Sequence, residues 1–142
     1  MRRLSILLRI ALVAALPAAT FAAEPAKGIP FVTGPFNEAL ARAKAEHKFL
    51  FLDAYASWCE PCKAMEREVY TDPNVAEYFA AKFVSIKVDM EKGEGPELAK
   101  RLRGIDGYPT LIFINPEGYA VKTLLGWRSA TDFLAEARLV AK

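Results

Sequence analysis

Apolar runs of strand length alternate with segments of helical periodicity along most of the chain. The most nearly continuous run extends from Phe49 to Tyr55 and contains one charged residue, Asp53. A run of this length and composition predicts a strand that is buried on both faces of a sheet. Further apolar runs predict strands at Phe83–Val88, Thr110–Ile114 and Tyr119–Leu125. The last two are separated by the turn sequence Asn115-Pro116-Glu117-Gly118, which predicts a hairpin.

Segments with apolar residues at helical spacing lie before, between and after these strands. The predicted helices are one opened by Pro35, one from near Cys59 to Val69, one capped by Asp72, one at Leu98–Leu102 and one capped by Ser129. The polar, glycine-rich stretch Glu91–Pro96 predicts a surface loop. The order α, β, α, α, β, α, β, β, α indicates an α/β fold with a mixed central sheet flanked by helices, ending in a C-terminal β-hairpin and helix.

The N-terminus follows a different pattern. Arg2 and Arg3 precede an apolar stretch, Ile10–Leu16, and a run of small residues that ends at Ala23. This pattern is typical of a cleavable signal peptide, with cleavage after Ala22. An uncleaved anchor is the alternative, but about 14 mostly apolar residues are fewer than the roughly 20 needed to span a bilayer. We therefore expect a signal peptide at residues 1–22, one domain at residues 23–142, periplasmic export and no stable membrane insertion.

The charge balance argues against two classes of partner. The chain has 19 Lys and Arg residues against 17 Asp and Glu residues, a net charge of +2 at pH 7. Nucleic acids and anionic membrane surfaces are attracted by strong positive fields, which this balance does not supply. We therefore expect no nucleic-acid partner.

The strongest candidates for a reactive site are the only two cysteines, Cys59 and Cys62. A disulfide between them would close a minimal loop, so it would stabilise the fold little in the chain-entropy picture. An exported protein meets an oxidising compartment in which such a bond can persist. Zinc needs about four ligands, and the chain offers only these two thiols and one histidine, His47. We therefore expect a reactive pair, with no metal, and a surface position for His47.

The residues around the pair resemble the thioredoxin superfamily. The resemblance lies in Trp58-Cys59-Glu60-Pro61-Cys62-Lys63 after a strand that contains Asp53, and in Gly107-Tyr108-Pro109-Thr110 at the start of a later strand. The stretches Asp53–Cys59, Thr71–Val75 and Gly126-Trp127 are most similar to the C-terminal domain of the DsbD thiol:disulfide interchange proteins. The resemblance covers nearly the whole mature chain. It implies a single thioredoxin-like domain, a protein-disulfide oxidoreductase activity and no cofactor.

The resemblance assigns a redox role to four residues. Cys59, at the start of a helix, would be the attacking thiol, and Cys62 would resolve the mixed disulfide. Asp53, buried in its strand, would have a raised pKa because of desolvation and would accept the proton of Cys62. Lys87 would be the neighbour that modulates this carboxyl group.

Three further residues are expected to contact the partner. Trp58 lies at an exposed helix start, which favours a partner surface over a place in the core. Pro109 matches the cis-proline of the family, and Tyr108 precedes it. An ordinary turn or strand-start proline is the alternative for Pro109.

Glu60 stands where thioredoxins have glycine, and its charge opposes ionisation of Cys59. At about 6 Å in water this repulsion is roughly 0.7 kcal/mol, close to the 0.3 to 1 kcal/mol that a helix N-terminus gives an exposed anion. The Cys59 thiolate is therefore not strongly stabilised, which favours a reductase over an oxidant. We expect a monomer that reduces exported disulfide-containing proteins. A membrane thiol:disulfide electron donor would reduce it again. The alternatives are a net oxidase or isomerase and, in another class, a non-enzymatic copper chaperone that would hold Cu(I) with the two thiolates. Only Met65 and Met90 lie near the pair in sequence as further soft ligands, which argues against the chaperone.

Overall fold

The computed structural model describes residues 27–142, and the signal peptide expected at residues 1–22 lies outside them. The elements are β1 (Phe31–Val32), α1 (Phe36–Ala45), β2 (Phe49–Tyr55), α2 (Glu60–Ala64), a π-helical turn (Met65–Val69), α3 (Pro73–Lys82), β3 (Phe83–Asp89), α4 (Gly95–Leu102), β4 (Thr110–Ile114), β5 (Ala120–Leu125) and α5 (Ala130–Val140). Within residues 27–142, no helix combines the length and the apolar character that crossing a membrane would require.

The five strands form one sheet in the order β1-β3-β2-β4-β5. Strand β3 runs parallel to β1 and β2, whereas β4 runs antiparallel to β2 and β5. This arrangement confirms the predicted α/β fold with a mixed sheet and a C-terminal hairpin. Strand β2 is central, and its register places Asp53 opposite Lys87 on one side and Leu111 on the other.

The side chains of β2 alternate between two apolar layers, as the continuous apolar run predicts. On one face, Phe51 packs against the rings of Phe79, Phe113 and Phe133, with centroids 5.1 to 5.4 Å apart. On the other face, the residues packed with helix α1 include Leu50, Leu52, Ile86 and Ile112. Asp53 is two residues after Phe51, so its carboxyl group points into the aromatic layer.

The predicted caps are present. The Asp72 carboxylate accepts hydrogen bonds from the N–H groups of Asn74 at 2.9 Å and Val75 at 3.1 Å, and the Ser129 hydroxyl accepts one from the N–H of Asp132 at 3.1 Å. Each cap satisfies N–H groups that have no partner within the first turn of a helix.

Two details differ from the sequence prediction. Strand β1 was not predicted, because two residues give no periodicity to detect. Helix α4 begins at Gly95, not at Leu98, so the predicted loop Glu91–Pro96 is shorter than expected. Gly95 is buried, and a Cβ atom there would lie 2.0 Å from the Asp89 carbonyl oxygen, so only glycine permits this close approach.

Candidate active site

Cys59 and Cys62 lie where the chain leaves the central strand and enters helix α2. Cys59 is the N-cap of that helix, and its Sγ accepts a hydrogen bond from the Cys62 N–H at 3.2 Å. The two cysteines form a disulfide, with their Cα atoms 5.3 Å apart. Both are almost covered, because Cys59 is only 2% exposed and Cys62 only 1%.

The helix N-terminus is suited to hold a thiolate at Cys59. The unpaired N–H groups of the first turn and the helix dipole stabilise negative charge on the N-cap sulfur. Glu60 opposes this effect, but its carboxylate forms ion pairs with Lys63 at 3.6 Å and Arg67 at 3.3 Å. The two cations offset part of the repulsion that the sequence alone leads one to expect.

Asp53 lies on β2, and its side chain is completely buried. Neither carboxylate oxygen has a hydrogen-bond partner within residues 27–142. Burial raises the pKa of Asp53 from its ordinary 3.8 to about 6, against the opposing effects of the Lys87 charge and the Tyr70 hydroxyl. A carboxyl group with a pKa near neutral can exchange a proton under physiological conditions.

Lys87 lies opposite Asp53 in the β2–β3 ladder, so the structure brings together the two residues that the sequence paired. Its Nζ forms an ion pair with Glu66 and lies 4.9 Å from the centre of the Tyr55 ring. Burial lowers the pKa of Lys87, whereas the negative charge of Asp53 raises it. The charge of Lys87 therefore interacts both with the buried carboxyl group of Asp53 and with the more exposed carboxylate of Glu66.

Sequence reasoning missed Glu66 and Tyr70. Glu66 lies four residues after Cys62, and in a helix this spacing places both residues on one face. That spacing was the available signal that Glu66 belongs to the site. Tyr70 is buried, and its hydroxyl faces Asp53 without completing a hydrogen bond. It follows the π-helical turn, where the Tyr70 N–H bonds to the Met65 carbonyl oxygen at 2.9 Å. Nothing in the local sequence signals this wider turn.

Of the three residues expected to contact the partner, Trp58 is exposed and Tyr108 half-buried, whereas Pro109 is buried. Trp58 is 65% exposed, and its ring meets the Tyr108 ring edge to face with centroids 5.9 Å apart. Tyr108 packs against the cluster formed by Ala56 and the two cysteines. The Tyr108–Pro109 peptide bond is cis.

A second apolar surface lies along the segment that contains helix α2. Pro61, Ala64 and Trp127 line an open depression of about 420 Å³, with Glu60 and Glu68 at its rim. Trp127 is 44% exposed. Such a surface beside a reactive bond is suited to contact with a partner protein.

The remaining candidates lie elsewhere. His47 is exposed in the α1–β2 turn with a φ of 54°, far along the chain from the cysteines. Over the residues that the structure describes, His, Cys, Asp and Glu side chains do not gather in any group of three or more that could hold a metal ion.

Comparisons with known proteins agree with this geometry. The family model described as Thioredoxin-like matches residues 32–116. The thiol:disulfide interchange protein DsbD 2 of Pseudomonas aeruginosa is 37% identical over 99 residues, which are 68% of this chain and 17% of that protein. The chain thus spans less than a fifth of the length of this curated relative.

Two solved structures extend the likeness to the fold. The reduced C-terminal domain of Neisseria meningitidis DsbD is 30% identical with a TM-score of 0.61, over 72% of this chain and 91% of that chain. A proposed disulphide isomerase from Bacteroides thetaiotaomicron is 47% identical with a TM-score of 0.71, over 80% of this chain and 93% of that chain. The resemblance read from the sequence is confirmed, and the chain belongs to the thioredoxin-like family, with a domain similar to the C-terminal domain of DsbD.

Proposed function

We propose that this chain is a periplasmic thiol:disulfide oxidoreductase that reduces disulfides in exported partner proteins. The observation that carries the proposal is the Cys59–Cys62 disulfide at the N-terminus of α2. Asp53, buried in the strand that leads to this helix, supports it as a proton acceptor because burial raises its pKa to about 6. The names of the similar DsbD proteins, thiol:disulfide interchange proteins, support the same chemistry.

The reaction is two successive thiol–disulfide exchanges. The Cys59 thiolate attacks one sulfur of the partner disulfide, which forms a mixed disulfide and releases the other partner sulfur as a thiolate. The Cys62 thiol gives its proton to Asp53, and the resulting thiolate attacks Cys59 Sγ in the mixed disulfide. The partner leaves with both cysteines reduced after protonation. Two electrons have passed from this chain, which now carries the Cys59–Cys62 bond.

A membrane thiol:disulfide electron donor would reduce this bond again and complete the cycle. We propose that the partner and the donor bind where Trp58 and Tyr108 form the outer surface, beside Pro109, which is buried. The chain would act as a monomer, since one copy carries both cysteines and Asp53.

Disulfide isomerisation on the same scaffold is the second candidate, favoured by the likeness to a proposed disulphide isomerase. A net oxidase would require a more strongly stabilised Cys59 thiolate than this helix start, with Glu60 beside it, provides. A copper chaperone is less well supported. Met65 packs in the aromatic layer, whereas Met90 packs in the layer on the other face of the sheet, so the two methionines do not converge on the cysteines.

The reduction potential of the Cys59–Cys62 couple tests the direction of electron flow. We would equilibrate the mature chain with dithiothreitol or glutathione and follow the fluorescence of Trp58 and Trp127. We expect a value near about −270 mV, as in thioredoxin; about −180 mV would favour the isomerase, and about −120 mV would overturn a reductase.

A further inference from the structure

The turn between β3 and α4, residues 90–94, lies against the segment that carries the redox cysteines. The indole N–H of Trp58 donates a hydrogen bond to the Glu91 carboxylate at 2.8 Å. The Lys92 Nζ donates another to the Ser57 hydroxyl at 2.9 Å. Two consecutive residues of the turn therefore hold two consecutive residues immediately before Cys59.

The backbone of this turn is itself well fixed. The Met90 N–H bonds to the Tyr55 carbonyl oxygen at 2.9 Å, which anchors the turn to the end of β2. The Glu91 N–H bonds to the Asp89 carboxylate at 3.0 Å, and Gly95 packs directly on the Asp89 backbone. Glu91 thus presents its carboxylate from a position set by the sheet.

Trp58 is consequently held at two points, by Glu91 at its indole nitrogen and by Tyr108 at its ring. Tyr108 also packs on the cluster that contains both cysteines. A thiol that attacks a disulfide must approach one sulfur along the S–S axis, yet Cys59 is only 2% exposed. Attack on Cys59 therefore requires the covering side chains to move.

We propose that Glu91 is a positioning residue that holds Trp58, and through it Tyr108, closed over the Cys59–Cys62 disulfide. Breaking the Trp58–Glu91 hydrogen bond opens the site, so a partner that draws Trp58 away from Glu91 gains access that a small thiol lacks. The closure is a property of the folded chain and does not depend on the proposed function. Its consequence for partner choice rests on the proposed disulfide exchange.

The test compares Glu91→Ala, Glu91→Gln and the control Glu97→Ala, all with Trp127→Phe so that Trp58 is the only tryptophan. Glu97 is a suitable control because it is exposed and pairs with Lys100, away from Trp58 in sequence. Two quantities are measured on the oxidised proteins: acrylamide quenching of Trp58 fluorescence and the rate constant for reduction by dithiothreitol. Thermal unfolding checks that each variant is folded.

For Glu91→Ala we expect reduction to be faster by about three- to tenfold, the change in open population that loss of one hydrogen bond produces. Quenching of Trp58 should rise in parallel. Glu91→Gln should stay within about twofold of the parent, because its amide oxygen still accepts the indole N–H. Glu97→Ala should match the parent, and the reduction potential should not move in any variant, since closure affects forward and reverse exchange alike.

Equal reduction rates and quenching in Glu91→Ala and the parent would overturn the proposal. So would a Glu91→Gln variant as fast as Glu91→Ala, since charge and not the hydrogen bond would then control the rate. A reduction potential shifted enough to account for the faster reduction would also contradict it. Failure of the reduced parent chain to reduce a protein disulfide such as insulin would count against the proposed function, and the dithiothreitol result would still decide the role of Glu91.

Discussion

The two sides of the Cys59–Cys62 disulfide differ in kind. The sheet that leads into the disulfide, here called the inner side, holds Asp53, which is completely buried without a hydrogen-bond partner among residues 27–142 and lies opposite the partly buried Lys87. On the outer side, Glu60 and Glu91 are exposed charges with close cationic or N–H partners. Charge interactions are strong where water is excluded and weak where it is not. The inner side should therefore govern proton transfer and pH dependence, and the outer side should govern access.

The largest effect is expected from removing the resolving sulfur. Cys62→Ala leaves Cys59 able to attack a partner but removes the second exchange, so turnover should fall to the background rate. The mixed disulfide between Cys59 and the partner should accumulate and be visible on a non-reducing gel. Cys59→Ala is the matched control, because it removes the attacking thiol. If Cys59→Ala trapped the partner and Cys62→Ala did not, the assigned roles would be reversed.

Asp53→Asn should remove the buried proton acceptor while leaving both sulfurs in place. Loss of a proton acceptor slows the step it serves by about 10²- to 10⁴-fold, so resolution of the mixed disulfide should become slow. Stopped-flow measurement of this step at pH 7 checks the effect. An unchanged resolution rate would show that Cys62 gives its proton to another group.

Asp53→Asn should slow the reaction but raise the stability of the fold near neutral pH. The pKa of Asp53 is raised from 3.8 to about 6 on folding, so between these pH values the folded state binds more protons than the unfolded state. The free energy of unfolding should fall as pH rises through this window, by about 3 kcal/mol for a shift of this size. Asp53→Asn lacks this dependence on pH. The free energy of unfolding of the variant relative to that of the parent should therefore rise from pH 4 to pH 7.

Urea unfolding of the oxidised proteins at several pH values measures this difference. Asp106→Asn is the control, because Asp106 is exposed and outside the site. A stability difference between Asp53→Asn and the parent that did not change between pH 4 and pH 7 would mean that Asp53 is not desolvated as the structure indicates.

The contrast between the two sides also explains what the sequence can predict. Asp53 was identified because a charged residue inside an apolar strand run is visible locally, and the caps Asp72 and Ser129 follow from spacing alone. Trp58 was expected to be exposed, and it is. These features depend on residues that are close in sequence.

The missed features depend on packing between distant segments. Glu91 reaches Trp58 across 33 positions, and Lys87 reaches Glu66 across 21. Such contacts are set by how β3 and the turn after it lie against the segment that runs from Ser57 into the π-helical turn, which residue types do not specify. The Tyr70 hydroxyl faces Asp53 only after the π-helical turn, and local propensity does not distinguish that turn from an α-helix.

Lys87→Met tests whether the charge of Lys87 controls the pKa of Asp53. The positive charge of Lys87 lowers the pKa of Asp53, so its removal should raise that pKa above about 6. The pH at which resolution of the mixed disulfide reaches half its maximum rate should move to a more alkaline value, as should the carboxyl titration of Asp53 followed by NMR. Lys100→Met, a change at an exposed lysine of α4, should move neither. A lowered Asp53 pKa in Lys87→Met would contradict the assigned interaction.

The smallest effect is expected on the outer side, from Glu60→Gln. This change removes the carboxylate nearest to Cys59 in sequence, but it also frees Lys63 and Arg67, which pair with Glu60. The side chain of Glu60 is 69% exposed, so water and salt screen its charge from the sulfur. We expect alkylation of the reduced Cys59 by iodoacetamide at pH 7 to change by less than about threefold, the effect of a weak exposed interaction. Measurement at low and at 0.5 M salt checks the cause, because an electrostatic effect should shrink as salt is added. A change above tenfold that persisted in high salt would show that an exposed charge controls this thiol as strongly as a buried one, and the distinction between the two sides of the disulfide would not hold.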